Sequence, residues 1–282
     1  KQKNYTEAGR CLQIANSIKL KLYPSDIKTR LRRSKELAIE SNNYNIKKSA
    51  QTSKENAIFI VGMPRSGSTL VESILSMNKQ VSDLGETNVL SELFLSWQKK
   101  SKEGKKLNLE ELYLEKISKF SSKSTISTNK MLYNYQYVGV IASQINCSKI
   151  IHCFRNPLDN ILSIYRANFS KGNSYSSSLE DSAILYLNQK ERMREYKKSY
   201  RSKIYDLDYD LLVKEPHSQI KSLISWLGWE WDNSYLSPHL NTRSISTASS
   251  VQVRSPINSK SISGWKNYKE ILSPAIEILE KQ

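Results

Sequence analysis

Residues 57–69, AIFIVGMPRSGST, contain the pattern that decides the fold of this chain. The segment opens with an apolar run, 57–61, which is typical of a strand buried on both faces of a parallel sheet. This run ends at Gly62, and from Thr69 onward apolar residues recur at helical spacing, as Leu70, Ile74 and Met77. The segment therefore predicts a strand, a tight loop and a helix in succession.

The loop, 62–69, has the G-x-x-x-x-G-x-[ST] frame of a phosphate-binding loop. In this frame the glycines permit a tight turn, and backbone N–H groups at the helix N-terminus surround a phosphate. The lysine that ATPases and kinases place before the final Ser/Thr is replaced by Ser68, and a cation stands earlier, at Arg65. The loop therefore predicts an anion site, although an ordinary turn between strand and helix stays open as the alternative.

Strand and helix patterns alternate along the rest of the chain. A second apolar run, 149–154, is followed by Arg155 and by Pro157, which suits the first turn of a helix. Other patterns predict strands at 124–128 and 203–207 and helices at 6–21, 27–40, 179–200 and 216–227. Together they predict an α/β fold, P-loop-like and three-layered, with a central, mostly parallel sheet preceded by short N-terminal helices.

We expect the chain to divide into a lead-in and a main domain. Residues 1–50 are interpreted as an N-terminal helical lead-in, compatible with the remnant of a helical-repeat domain, and 57–282 as the main domain. The polar, aperiodic residues 41–56 are interpreted as a linker. The Ser-, Thr- and Asn-rich stretch 240–262 predicts a long functional loop.

Composition argues against a membrane protein and against a metal site. No apolar stretch approaches the roughly 18 residues that a membrane span needs, and no signal-peptide pattern is present, so we expect a cytoplasmic location. Three cysteines and three histidines lack the spacing of a metal site. No metal is therefore predicted, and we expect the cysteines Cys11, Cys147 and Cys153 to be buried, reduced thiols.

The formal net charge of +16 is unevenly distributed. Residues 1–50 carry 12 Lys/Arg and 4 Asp/Glu, which is half of the positive excess. A solvated basic helical face explains this segment, with a dedicated polyanion site as the alternative. Nucleic acid is therefore not the expected partner, and the charge elsewhere favours an anionic co-substrate or an acidic acceptor.

Residues 59–75, FIVGMPRSGSTLVESIL, resemble the 5′-phosphosulfate motif of the sulfotransferase superfamily. The motif is similar to that of bacterial sulfotransferases found behind tetratricopeptide repeats and of tyrosylprotein sulfotransferases, and the resemblance covers about residues 57–272. It implies 3′-phosphoadenosine 5′-phosphosulfate (PAPS) as co-substrate, 3′,5′-adenosine bisphosphate (PAP) as product and no required metal. It also implies that the phosphosulfate is bound by Pro64, Arg65, Ser66, Gly67, Ser68 and Thr69.

The resemblance extends to a second anion site and to the C-terminal part of the chain. Residues 155–163, RNPLDNILS, resemble the 3′-phosphate motif, in which Arg155 and Ser163 bind, separated by about two helical turns. The alternative to phosphate binding by Arg155 is a purely structural role, in which its side chain caps the edge of the sheet. Tyr209 and the segment 261–266, SISGWK, match further family positions, which implies nucleotide contacts from Tyr209, Arg254, Trp265 and Lys266.

The catalytic residues implied by the resemblance are Glu86, Arg65, Lys130 and Ser249. Glu86, in the segment 81–87, would accept the proton of the acceptor hydroxyl, and its alternative is to cap a helix that begins near Thr87. Arg65, Lys130 and Ser249 would stabilise the departing phosphate, with Ser250 as an alternative to Ser249.

We therefore expect transfer of a sulfuryl group from PAPS to a hydroxyl acceptor by in-line attack. The acceptor is a protein tyrosine, a carbohydrate or a small molecule, and an acidic peptide or glycan suits the basic surface. The alternative functions are a P-loop nucleoside-triphosphate-dependent kinase or hydrolase and a non-catalytic polyanion-binding protein. Three tryptophans are interpreted as core at a helix end, with an acceptor platform as the alternative: Trp226, Trp229 and Trp231.

Overall fold

The computed structural model describes residues 4–44, 56–120, 125–169, 172–242 and 250–281. Within these ranges five strands form one sheet in the order β2-β3-β1-β4-β5, and every neighbouring pair is parallel. The strands are β1 (Asn56–Gly62), β2 (Val81–Asp83), β3 (Ile126–Asn129), β4 (Ser148–Phe154) and β5 (Ile204–Asp208). The predicted α/β fold with a mostly parallel central sheet is confirmed.

Helices flank the sheet, and those predicted at 6–21, 27–40, 179–200 and 216–227 are confirmed. In chain order the α-helices are α1 (Tyr5–Leu22), α2 (Ile27–Ser41), α3 (Ser68–Leu75), α4 (Val89–Lys102), α5 (Leu109–Ser118), α6 (Val138–Gln144), α7 (Pro157–Tyr165), α8 (Leu179–Tyr200), α9 (Tyr209–Lys214), α10 (Pro216–Leu227), α11 (Ser250–Val253) and α12 (Ser273–Glu280). The stretch 240–262, predicted as a loop, therefore contains the short helix α11 in its described part.

Each face of the sheet buries its own apolar cluster. In β1, Phe59 and Val61 pack with residues of α4, α5, α6 and α8, whereas Ile58 and Ile60 pack with residues of α3 and α10. All four side chains are essentially inaccessible to solvent. A strand covered on both faces explains why this segment is a continuous apolar run.

The N-terminal helices pack directly on the rest of the described chain. Leu37 of α2 is buried in the cluster that covers Phe59, and the Asn16 amide of α1 donates a 3.0 Å hydrogen bond to the backbone oxygen of Tyr165. Cys11 is exposed on α1, so the expectation of buried thiols is wrong for this residue, whereas Cys153 is buried in the sheet. Within the described ranges, no helix combines the length and apolarity needed to cross a membrane.

The strand register brings the carboxyl ends of the strands to one edge. Gly62 lies opposite Cys153 of β4, Phe59 lies opposite Asn129 of β3, and Asp83 of β2 lies opposite Thr128. The residues that follow these strands therefore meet at the same edge, which is where ligands bind in open α/β sheets.

Candidate active site

The loop between β1 and α3 has the backbone conformation of a phosphate-binding turn. Gly67 has φ +93° and stands at the N-cap of α3, and Arg65 has the positive φ of 67°, which is rare for a residue with a side chain. A Cβ at Gly67 would lie 2.3 Å from Cδ2 of Tyr209, and one at Gly62 would lie 2.2 Å from the backbone oxygen of Cys153. The predicted strand, loop and helix are confirmed, and both glycines are required by close packing.

Two arginines converge on this loop from different strands. The Arg65 guanidinium donates from Nε to Ser163 Oγ (3.1 Å) and from Nη2 to Gln252 Oε1 (2.8 Å). The Arg155 guanidinium donates to the backbone oxygens of Arg65 (3.4 Å) and Ser261 (2.8 Å). Burial, and secondly the charge of Arg155, lower the pKa of Arg65 below its ordinary value. A buried cation, Arg155, and a half-buried one, Arg65, therefore face the same space.

A cleft with a strongly basic lining opens beside the loop. It consists of adjoining pockets of about 530 and 510 Å³, and both are lined by Arg65, Arg155, Arg166 and Lys260. Among the described residues that line it, the only carboxylate is that of Asp159. Its two oxygens accept hydrogen bonds from the backbone N–H groups of Ser263 (2.7 Å) and Trp265 (2.9 Å). Because this carboxylate is engaged, the cleft is suited to a ligand with several negative charges.

Two buried donors, one in the loop and one on Arg155, have no hydrogen-bond partner within the described part of the protein. They are the Ser66 hydroxyl of the loop and Nε of Arg155. Buried polar groups are almost always hydrogen-bonded, and an orphan donor therefore indicates a ligand or water that completes it. Ser66 lies in the loop that is predicted to bind the 5′-phosphosulfate, and Arg155 is predicted to bind the 3′-phosphate. These residues therefore fit a nucleotide with two anionic groups.

Tyr209 forms one wall of the cleft. Its ring packs against Gly67, its hydroxyl lies 2.7 Å from Ser261 Oγ, and the Arg155 guanidinium carbon lies 4.6 Å from the ring centroid. This cation–π contact fixes the plane of the arginine beside the loop. The structure thus brings together Arg65, Arg155, Ser163 and Tyr209, which are far apart in the sequence.

Glu86 and Lys130 also meet at this edge of the sheet. Lys130 is fully buried, and its Nζ lies 2.8 Å from Oε1 of Glu86 and 4.0 Å from Oε2 of the buried Glu72. The side chain of Glu86 is 45% exposed, so a substrate can reach it. Helix α4 begins at Val89 with Asn88 at its N-cap, so Glu86 does not cap that helix.

Other predicted site residues lie elsewhere or outside the described chain. Trp265 contributes its backbone N–H to Asp159, while Lys266 is exposed and does not line the cleft. Arg254 is exposed and donates to the backbone oxygen of Asn241. Ser249 lies outside the described residues, and the assignment of the catalytic serine stays a prediction.

The three tryptophans do not line the cleft. They are half-buried and pack against the apolar cluster beneath α3 and α10, as the core interpretation predicted for Trp226, Trp229 and Trp231. Within the described ranges, no group of His, Cys, Asp and Glu is placed to hold a metal ion.

Sequence reasoning missed several residues of the cleft, among them Arg166, Gln252 and Lys260, and one buried carboxylate. Arg166 follows Ser163 by three residues, so the helical period places the two side chains on one face of α7. Gln252 lies in the short helix α11 and Lys260 in the loop that follows it, and no periodicity in this stretch predicts where their side chains point. Glu72 lies on the buried face of α3. The spacing of Arg166 was therefore the one signal that could have been read beforehand.

The sequence matches a protein-family model and the sequence of a known protein. A family model described as "Sulfotransferase family" matches residues 57–233. An uncharacterized protein of Aquifex aeolicus (strain VF5) is 31% identical over 244 residues, which cover 79% of this chain and 32% of that protein. This chain thus spans about a third of the length of that relative.

Two solved structures share the fold. The sulfotransferase domain from the curacin biosynthetic pathway aligns with a TM-score of 0.57 and 17% identity, covering 80% of this chain and 97% of that domain. Mouse sulfotransferase SULT7A1 complexed with PAP aligns with a TM-score of 0.50 and 17% identity, covering 87% of this chain and 88% of that protein. The family model covers more than half of the chain and includes the loop, Arg155 and Glu86. On these grounds, the chain belongs to the sulfotransferase family.

Proposed function

We propose that this protein transfers a sulfuryl group from PAPS to a hydroxyl group of an acceptor. The observation that carries the proposal is the pair of buried, unpartnered donors, Ser66 Oγ in the phosphate-binding loop and Arg155 Nε beside a cleft with several cations. A nucleotide that carries both a 5′-phosphosulfate and a 3′-phosphate supplies an acceptor for each. The mouse relative complexed with PAP has the same fold, which supports this assignment.

The loop is proposed to hold the 5′ end of the nucleotide. Ser66 donates its free hydroxyl, and the backbone N–H groups at the start of α3 point toward the anion, as at other helix N-termini. Residues 64–69 would thus surround the phosphosulfate. Arg65 lies between the two anion sites because its guanidinium already reaches Ser163, and it stabilises charge on the departing phosphate.

Arg155, Ser163, Arg166 and Lys260 are proposed to hold the 3′-phosphate. Arg155 and Arg166 lie before and after the short helix α7, and Lys260 reaches the same pocket from the C-terminal loop. Tyr209 supports the Arg155 guanidinium from one side. This arrangement explains why the buried arginine Arg155 is retained without a carboxylate partner within the described residues.

Glu86 and Lys130 are proposed to act on the acceptor and on the leaving group. When bound, PAPS supplies the activated sulfuryl group. As the acceptor oxygen bonds to sulfur, its proton passes to Glu86, while the bond from sulfur to the 5′-phosphate oxygen breaks and PAP leaves with the electron pair. Lys130 is hydrogen-bonded to Glu86 in the structure, and protonation of Glu86 releases the ammonium group to donate to the departing phosphate. Ser249 is proposed as a further donor.

The acceptor is proposed as a hydroxyl compound of one of three classes, a protein tyrosine, a carbohydrate or a small molecule. The exposed carboxylate of Glu86 requires only that a hydroxyl reach it. The basic surface favours acidic peptides and glycans among these.

Calorimetric titration with PAP tests the nucleotide site. We expect the wild-type protein to bind PAP and Arg155→Ala to bind it about tenfold to a hundredfold more weakly, since a charged hydrogen bond is lost. Arg32→Ala, which removes an exposed arginine of α2, is the matched control and should bind as the wild type does. Absence of PAP binding by the wild type, or unchanged affinity of Arg155→Ala, would overturn the proposal.

Sulfate transfer from labelled PAPS to a panel of peptides, glycans and phenols tests the role of Glu86. We expect Glu86→Gln to keep PAP affinity and to lose about two orders of magnitude or more in turnover. Glu92→Gln, an exposed carboxylate change on α4, is the control. Full activity of Glu86→Gln would refute its assignment as the base.

A further inference from the structure

A second cleft lies between α8 and the edge of the sheet formed by β4 and β5. Its volume is about 510 Å³, which is in the range of small-molecule sites. None of its described lining residues lines the basic cleft beside the phosphate-binding loop. Strand β5 is the last strand of the sheet, so this cleft opens at the β5 edge, beside Phe154 at the end of β4.

The floor of this second cleft is aromatic. The rings of His152 and Phe154 stack with centroids 5.4 Å apart and planes at 28°, and Tyr186 adds a third ring to the lining. Both nitrogens of His152 are engaged, Nδ1 with Asp206 Oδ1 at 2.9 Å and Nε2 with Gln189 Nε2 at 2.8 Å. Burial lowers the pKa of His152, so the imidazole is neutral near pH 7. The floor is therefore uncharged and aromatic, and Phe154 is its most accessible ring because His152 and Tyr186 are buried.

The rim of the cleft is basic. Lys190, Arg194 and Lys198 follow one another by four residues along α8, which places them on one face of the helix, and Lys197 lies beside them. The carboxylate of Asp206 is engaged by both Lys197 and Arg201.

The rim keeps a positive excess after its internal ion pairs are made. Arg194 pairs with Glu191 at 2.7 Å, and Lys198 pairs with Glu195 at 2.9 Å. Among the described residues, Lys190 has no ion-pair partner and is exposed. Five cations (Lys190, Arg194, Lys197, Lys198 and Arg201) thus stand against three carboxylates (Glu191, Glu195 and Asp206). The excess of two charges suits an anion with one or two charges, which Lys190 is free to bind.

We propose that this cleft is a binding site for small aromatic anions, in which a planar ring lies against the floor and a carboxylate, sulfate or phosphate group meets Lys190. A ring gains from packing against Phe154, the half-buried ring of the floor, and the acidic group gains from the unpaired ammonium. An extended polyanion would gain less, because Arg194 and Lys198 are already paired within α8. The proposal rests on this cleft alone and is independent of the proposed function.

Calorimetric titration with 1-naphthoate tests the site in the full chain. We expect saturable binding by the wild type and at least about tenfold weaker binding by Lys190→Glu. Two charge-matched controls should stay within about twofold of the wild type. They are Lys260→Glu in the basic cleft and Lys221→Glu, an exposed change on α10. Melting curves check that the variants are folded, which is expected because all three side chains are exposed.

Any of four results would overturn the proposal. Absence of saturable binding of 1-naphthoate would show that the cleft is not a site for aromatic anions. Weakening by Lys260→Glu in place of Lys190→Glu assigns the probe to the basic cleft, and equal weakening by all three variants indicates general attraction to a basic protein. Cyclohexanecarboxylate, which has the same charge without a planar ring, should bind at least about fivefold more weakly than 1-naphthoate. Equal binding of the two probes would overturn the aromatic class of ligand.

Discussion

Single residues in the phosphate-binding loop are constrained by backbone conformation and by space together. Gly67 combines a positive φ with contact to the Tyr209 ring, and Arg65 adopts a positive φ despite its side chain. For a residue with a side chain, such as Arg65, a positive φ costs of order 1 kcal/mol or more, and such residues concentrate at functional sites. Arg65 is therefore held in a conformation that it does not favour on its own, as expected of a preorganised anion site.

Gly67→Ala should disrupt the loop more than an equivalent change elsewhere. The added Cβ would lie 2.3 Å from Tyr209, so we expect PAP affinity to fall at least about tenfold and stability by more than about 1 kcal/mol. Gly104→Ala is the matched control, since Gly104 also has a positive φ, but no atom of the described residues lies within 4 Å of the place that its Cβ would take. It should lose about 1 kcal/mol and keep PAP affinity. Equal PAP affinity in both variants would contradict the steric argument.

His152 should make stability depend on pH. Burial lowers its pKa in the folded protein, so as pH falls from 8 to 5.5 the unfolded chain takes up a proton that the folded protein resists. Stability attributable to His152 is therefore present above about pH 6.5 and is lost below it. Urea unfolding should show a smaller decline over this range in His152→Gln than in the wild type, by about 1 kcal/mol.

The exposed histidine His217 supplies the control for this measurement. His217→Gln should retain the wild-type decline in stability between pH 8 and 5.5. If His152→Gln also retains it, the neutral, buried state assigned to His152 is wrong.

Sequence motifs predicted the residues of the cleft that stand at strand ends, and missed those that stand in loops. Arg65 and Arg155 directly follow buried strands, and in a parallel sheet these positions must converge. Lys260 enters the same cleft from a C-terminal loop, where only tertiary contacts, such as that between Ser261 and Arg155, determine its place. No local pattern encodes such contacts.

At the scale of elements, α7 carries much of the proposed 3′-phosphate site. Asn156 caps this helix by accepting hydrogen bonds from the backbone N–H groups of Leu158 and Asp159, and Pro157 fills its first turn. Asp159 in turn holds the backbone at Ser263 and Trp265. One helix of nine residues therefore positions both the anion-binding side chains and the C-terminal segment that closes the cleft.

Asn156→Ala should destabilise the protein by about 1 kcal/mol, because two backbone donors lose their acceptor. Asn88 is a matched control, since it stands at the N-cap of α4 but its side chain makes no capping hydrogen bond. Asn88→Ala should change the free energy of unfolding by less than about 0.5 kcal/mol. Urea unfolding of both variants measures the difference, and equal effects would show that the cap of α7 is not energetically important.

Element prediction succeeded where the pattern was long or fully apolar. Helix α8, with 22 residues, and strand β1, with its continuous apolar run, were both predicted. Strand β2 was not, because it has three residues of which only Val81 is buried. Helices α5, α6, α9 and α12 were also missed. Their places depend on tertiary packing, which short periodic patterns do not reveal.

At the scale of the whole molecule, the N-terminal helices share the apolar core with the sheet. Leu37 is 2% exposed and packs in the same cluster as Phe59 and Met193. The division of the chain at about residue 50 was predicted from composition. Composition does not reveal that two segments far apart in the sequence pack against each other. This packing predicts that the lead-in and the main domain unfold together.

Leu37→Ala should therefore lower the stability of the whole protein by about 2–5 kcal/mol, in a single transition. Ile39→Ala is the control on the same helix, because Ile39 is 58% exposed, and it should have little effect. Thermal unfolding followed by circular dichroism and by tryptophan fluorescence makes the comparison. A separate early transition in Leu37→Ala, with the main transition unchanged, would show that the lead-in folds independently.

The crowding of cations around Arg65 also has a practical consequence. The charge of Arg155 opposes that of Arg65 in a partly desolvated space, so compact inorganic oxyanions such as phosphate and sulfate gain by entering it. Phosphate or sulfate buffers should raise the melting temperature and reduce the apparent affinity for the nucleotide by competition. Assays of this protein are therefore best run in zwitterionic buffers with chloride as the only inorganic anion.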